Sequence, residues 1–265
     1  MKNSIKVVLL LLVGWQVAWA QSTQVVDIPT RPGVTQRFVL ITPDHPRAAI
    51  ILFAGGHGGL RITPEGKFRW GAGNFLVRSR KQFAAQGLTV AVVDAPSDRQ
   101  KDPYLTGFRQ TPQHVQDIRA VIAWLRQKSD LPVWLVGTSN GTKSVAYIAT
   151  QLPRAKGGPD GIVLTSTILK DPDHRAVLDM ALSDISVPVL VVHHKYDDCP
   201  LCPPALLGQL MNKLSASPRK QLVLVTGGVE RGNPCMPYAH HGFNDVESKV
   251  VKKIALWITQ PAGKV

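Results

Sequence analysis

At 265 residues, 44% hydrophobic and only 18% charged, the chain suits one domain with a sizeable core, and it is too apolar for wholesale disorder. Its formal charge of +13 comes from scattered lysines and arginines. No run of them resembles a nucleic-acid motif, so no nucleic-acid partner is expected.

The first twenty residues read as an export signal. Lys2 and Lys6 precede an apolar stretch from Val7 to about Val13, and Ala18-Trp-Ala20 fits the small-x-small rule for cleavage before Gln21. An uncleaved anchor is the rival, but the apolar run is short for a span and is interrupted by Gly14 and Gln16. No later stretch is long and apolar enough to cross a bilayer, so no stable membrane span is expected after cleavage and residues 21–265 form a single domain. A periplasmic or secreted location follows from the leader.

Short runs rich in Val, Ile and Leu then predict strands over 24–28, 37–41, 48–54, 88–93, 132–136, 161–165, 188–193 and 221–225. Several are continuously apolar, as in strands buried on both faces. Helical periodicity lies between them at 74–86, 111–128, 140–151, 204–214 and 244–258. The first two strands have no helix between them and read as an edge hairpin. The rest alternate with helices, which predicts an α/β fold with a mostly parallel sheet covered on both faces. Loops 58–73 and 95–110 carry Phe68, Trp70, Tyr104 and Phe108, candidates for the wall of a pocket or for packing on the helices beneath.

The chemistry centres on Gly137-Thr-Ser-Asn-Gly141, a match to G-x-S-x-G that a buried strand enters and a helical pattern leaves. That context is what a nucleophile elbow requires. The turn is so tight that side chains two residues either side of Ser139 clash, and the glycines remove them. The amide of Asn140, at the helix start, is then placed to donate to an oxyanion. A helix-capping serine is the plainer alternative.

A serine needs a base. Tyr238-Ala-His-His-Gly-Phe243 precedes the last helix. His241, followed by Gly242, is the first choice and His240 the second. The base needs a carboxylate to set its tautomer. His194-Lys-Tyr-Asp-Asp-Cys199 follows the strand at 188–193 and offers Asp197, with Asp198 next to it. Asp171, Asp173 and Asp184 rank lower. A second oxyanion donor is sought in Gly55-Gly-His-Gly-Gly59, where Gly56 and His57 are the candidate amides. The loop lacks the spacing of a dinucleotide-binding turn.

In this order, the glycine loop, G-T-S-N-G, the acid and the His-Gly step resemble the α/β-hydrolase superfamily over about residues 35–260. The small esterase and dienelactone-hydrolase-like branch is the more similar, although dienelactone hydrolases use Cys where this elbow has Ser. The resemblance implies an α/β-hydrolase fold with eight strands and little or no cap, a Ser139–His241–Asp197 triad and an acyl-enzyme. The expected activity is hydrolysis of small-molecule or polymeric carboxylic esters without a cofactor. Peptidase, amidase or acyltransferase chemistry on the same triad, and a non-catalytic polymer-binding protein, are the alternatives. If Asp197 and His241 meet, Cys199 and Cys235 are drawn together, so a Cys199–Cys235 disulfide is expected, with Cys202 as the alternative partner. Cys199-Pro-Leu-Cys202 has a metal-like spacing but no second ligand pair, and no metal is expected.

Overall fold

The computed structural model describes residues 21–260, and the expected leader at 1–20 lies outside the described residues. Eight strands form one open sheet: β1 (Gln21–Arg31), β2 (Val34–Pro43), β3 (Ala48–Phe53), β4 (Leu88–Val93), β5 (Val133–Thr138), β6 (Gly161–Thr165), β7 (Val189–His194) and β8 (Lys220–Val225). Their order is β1-β2-β4-β3-β5-β6-β7-β8. The hairpin β1–β2 and the β2–β4 pair are antiparallel, and every other neighbour is parallel.

The helices are α1 (Phe75–Ala85), α2 (Pro112–Lys128), α3 (Gly141–Gln151), α4 (Leu207–Lys213) and α5 (Glu247–Thr259). Alternation along the buried strands assigns each residue to one face. Ala49, Ile51 and Phe53 of β3 pack with α2, α3 and α4, whereas Ala48, Ile50 and Leu52 pack with α1 and α5. Between β6 and β7 lie only loop and two short 3₁₀ turns, at 177–179 and 182–184, so the sheet carries little cap.

Element ends differ from the sequence expectation where apolar patterning fades. β1 runs well beyond 24–28 because an edge strand needs few buried side chains, and most of its residues are exposed or half-buried. α4 starts at Leu207, after a 3₁₀ turn over Pro204–Leu206. α5 begins at Glu247 rather than near 244, because Phe243 and Asp245 have φ of 56° and 65°, and the Asn244 side chain donates to the Val229 carbonyl. No helix among the described residues is long and apolar enough to cross a membrane.

Candidate active site

β5 enters its helix through a strained turn. Ser139 has φ of 53°, a left-handed conformation that costs a non-glycine residue about 1–2 kcal/mol. The turn is held by Ser139 N–H donating to the Thr165 carbonyl (3.1 Å) and by the Thr142 amide and hydroxyl donating to the Ser139 carbonyl (2.9 and 2.6 Å). A Cβ on Gly137 would lie 2.5 Å from the Gly141 carbonyl oxygen, and one on Gly141 would run into the Phe53 carbonyl. Both glycines are therefore required by the backbone, as the motif predicts.

His241 lies in a short turn (His240–Gly242) before α5 and is buried. Its Nδ1 is 3.0 Å from Asp197 Oδ2. A carboxylate oxygen accepts, so Nδ1 carries the proton and Nε2 is left as a bare lone pair. Nε2 is buried and makes no hydrogen bond. His241 and Ser139 line the same chamber, with no hydrogen bond between them. Gly242 is needed for a reason the sequence does not reveal: a Cβ there would collide with the Pro237 carbonyl.

Asp197 and Asp198 part company in space. Asp197 is buried at the end of β7, and Asp198 is exposed. Asp197 Oδ1 accepts from the Cys199 amide at 3.0 Å. His240 is likewise separated from His241. Its amide donates to Glu230, its Nδ1 lies 3.1 Å from the Tyr196 carbonyl, and its ring stacks on His194 at 4.2 Å. Lower-ranked Asp171 pairs with Lys143, away from His241.

Cys199 and Cys235 form a disulfide that ties the Asp197 turn to the loop leading into His241. Cys202 is a free, buried thiol held well up in pKa by burial. The ligating atoms of Cys199, Cys202 and His241 lie within 4.8 Å of one another, but the disulfide occupies Cys199, and the remaining pair falls short of a metal ligand set.

The glycine loop passes beside the elbow. A Cβ on Gly55 would sit 2.9 Å from Ser139 Cβ, and Gly56, with φ of 58°, has Trp70 where a Cβ would point. Gly56 borders the Ser139 chamber. The His57 ring instead packs between Trp70 (3.8 Å) and Tyr104 (4.3 Å), and its Nδ1 accepts from the Gly59 amide. Of the four loop aromatics, Trp70 lines the Ser139 chamber. Phe68 packs on the sheet core beneath, Tyr104 against His57, and Phe108 with Ala95 and Leu105.

Two residues beyond the sequence reading complete the arrangement. Arg109 is 4% exposed, yet no carboxylate among the described residues pairs with it. Its guanidinium donates to the Ala54 and Gly56 carbonyls (3.0 and 3.2 Å) and to Ser144 Oγ on α3 (2.9 Å). Burial lowers its pKa to about 9. It therefore clamps the glycine loop to the helix that follows Ser139, fixing the peptide planes on either side of Gly55 and Gly56. A lone arginine in a polar loop reads as solvated surface, so no sequence signal marks it.

His193, at the end of β7, places Nε2 2.9 Å from the Cys202 carbonyl and 3.4 Å from Asp197 Oδ2. The carbonyl accepts, so Nε2 carries the proton. Burial lowers the pKa of this ring and keeps it neutral. A histidine four residues before the acid, closing a buried strand, is the signal that was available.

No family model matches the sequence, and no curated protein matches it. Solved structures do. The dienelactone hydrolase from Anabaena variabilis is 15% identical with a TM-score of 0.60, over 89% of this chain and 96% of that one. An alpha-beta serine hydrolase homologue from Coxiella burnetii is 15% identical with a TM-score of 0.58, over 89% and 95%. Carboxyl esterase 2 from the mycorrhizal fungus Tuber melanosporum is 14% identical with a TM-score of 0.63, over 90% and 86%. On its strand order and these likenesses, the chain has the α/β-hydrolase fold.

Proposed function

We propose that the protein is a serine hydrolase that cleaves carboxylic esters. The observation that carries this reading is the His241–Asp197 pair, whose histidine, with Nε2 unpartnered, lines the same chamber as a serine held in a left-handed elbow. The hydrolases and esterases that share the fold support it, although fold alone does not name a reaction.

In the proposed reaction, Ser139 Oγ attacks the ester carbonyl carbon as its proton passes to His241 Nε2. Asp197 stabilises the resulting imidazolium. The amides of Asn140 and Gly56 receive the oxyanion, which is where preorganised donors contribute most. Collapse breaks the bond to the alcohol oxygen, which takes the proton from His241 and leaves an acyl group on Ser139. Water, deprotonated by His241, then releases the acid. Gly56 is preferred to His57 as the donor because it borders the chamber. No step calls for a cofactor.

Export is part of the same proposal. It rests on the leader at 1–20 and fits a disulfide, which persists in oxidising compartments. A mature N-terminus at Gln21 in secreted or periplasmic material is the expected finding.

The test of the chemistry is covalent labelling by a fluorophosphonate, read by peptide mass, beside an ester and amide panel. An adduct on Ser139, lost in Ser139→Ala together with ester turnover, is expected. A folded protein that takes no label overturns the reading. Labelling with amide turnover alone moves the assignment to an amidase or peptidase.

A further inference from the structure

Two chambers adjoin the glycine loop. On one side of Gly56 lies the chamber already described, about 460 Å³, lined by Ser139 and His241 together with Trp70, Phe75, Met236 and Tyr238. On the other side lies a second chamber of about 410 Å³. Gly56 borders both, and Asn140, the residue after Ser139, borders the second. Gly56, one of the two candidate oxyanion donors, therefore stands between the chambers. Each volume is in the range of ligand clefts, about 300–1,000 Å³.

The two chambers differ in chemistry. Three aromatic or apolar side chains of the first stay well exposed, Trp70 at 37%, Met236 at 55% and Tyr238 at 52%. Large apolar groups clustered in the open around one opening mark a site that takes an apolar group. The second chamber is bordered by Gln110, Lys143, Asp171, Asp173 and Arg175. Lys143 is paired with Asp171, Arg175 donates to the Gly107 carbonyl, and Gln110 Nε2 donates to the Arg175 carbonyl. Three cations, Arg109 among them, thus border it with two carboxylates, but Arg109 is already engaged by the Ala54 and Gly56 carbonyls and Ser144, and Lys143 by Asp171. An anionic ligand would meet both carboxylates, and an apolar one would strip water from charged groups without replacing its hydrogen bonds. Hydroxyl groups, which donate and accept, suit such a wall.

Resting on the ester reading above, we propose that the substrate joins an apolar acid to a polyhydroxylated alcohol, a sugar or polyol, with the acid seated among Trp70, Phe75 and Tyr238 and the alcohol among Gln110, Asp173 and Arg175. The hydroxyl-rich half is the alcohol because a polyol itself supplies the oxygen of an ester.

The experiment compares kcat/KM of the mature protein on p-nitrophenyl acetate, the methyl ester of an aromatic acid, and a hexose ester of that same acid. The hexose ester is expected to exceed the methyl ester at least ten-fold. Asp173→Ala and Gln110→Ala are expected to raise KM for the hexose ester several-fold more than KM for p-nitrophenyl acetate or the methyl ester. Tyr238→Ala is expected to weaken both aromatic esters several-fold more than the acetate. Equal or lower turnover of the hexose ester, by an enzyme that labels at Ser139 and hydrolyses the acetate, overturns this proposal alone. Absence of both labelling and acetate turnover overturns the ester reading and the substrate assignment with it.

Discussion

Replacing Cys199 and Cys235 together by alanine cuts a covalent tie between the Asp197 turn and the loop that ends at His241. The two cysteines are 36 residues apart. Closing a loop of that length in the unfolded chain is worth about 4 kcal/mol by the chain-entropy relation. For a domain of this size, that loss lowers Tm by roughly 8–15 °C. The double variant is the clean form of the experiment, because Cys235→Ala alone leaves Cys199 free to pair with the nearby Cys202. The loop carries Arg231, Met236 and Tyr238 at the edge of the Ser139 chamber. Without the bridge it keeps only non-covalent ties, among them Arg231 N–H to the Tyr238 carbonyl, Val229 N–H to the Asn244 carbonyl, His240 N–H to Glu230 and the Arg78 guanidinium over the Tyr238 ring. KM for apolar esters should therefore rise more than kcat falls. Equilibrium denaturation of variant and wild type, with the wild-type disulfide verified by mass, measures the stability term, and ester kinetics measure the second. An unchanged denaturation midpoint would refute the loop-closure reasoning. Lost stability with unchanged KM would refute the claim that the bridge shapes the chamber.

Three further outcomes are expected. Arg109→Met should lower kcat by about 10–100-fold with little change in KM, since it frees the Ala54 and Gly56 carbonyls that orient the candidate oxyanion loop, and Arg109→Lys should recover part of it; a loss confined to thermal stability would count against this role. His193→Phe removes a second imidazole from Asp197 and should cost about ten-fold in kcat, far less than the roughly 10⁴-fold expected for Asp197→Asn, and stopped-flow or steady-state kinetics on one ester would rank the two. His114 is wholly buried with both ring nitrogens unpartnered, and burial holds its pKa down to about 3. The unfolded chain takes up that proton near pH 6.5 and the folded one does not. Its contribution to stability is thus intact above pH 6.5 and falls away toward pH 3, by about 2 kcal/mol at pH 5. His114→Leu should flatten that acid limb, and urea denaturation at pH 7 and pH 5 would show whether the difference shrinks.

The elbow was legible because its constraint is local. Gly137 and Gly141 are dictated by a turn that only its own backbone and the neighbouring end of β3 can crowd, so residue type at fixed spacing carries the information. The buried strands were legible for a similar reason, since β4 and β6 are buried at every position and carry short, nearly continuous apolar runs. Edge strand β1 was legible only in part, because half of it needs no apolar residue at all.

The sequence by itself determined the architecture, the nucleophile candidate and the region of chain from which an acid and a base would come. Choosing Asp197 over Asp198 as the partner of His241, and His241 over His240, was a matter for tertiary structure. Adjacent loop residues face different ways, and only the packing at the ends of β7 and β8 turns one inward while its neighbour stays at the surface. Arg109 and the second chamber lie further from any local signal. Their properties arise from groups distant in sequence, 55 residues between Arg109 and the Ala54 carbonyl and 28 between Lys143 and Asp171. Burial of a charge, and the balance of charges across a cleft, exist only once the chain has folded.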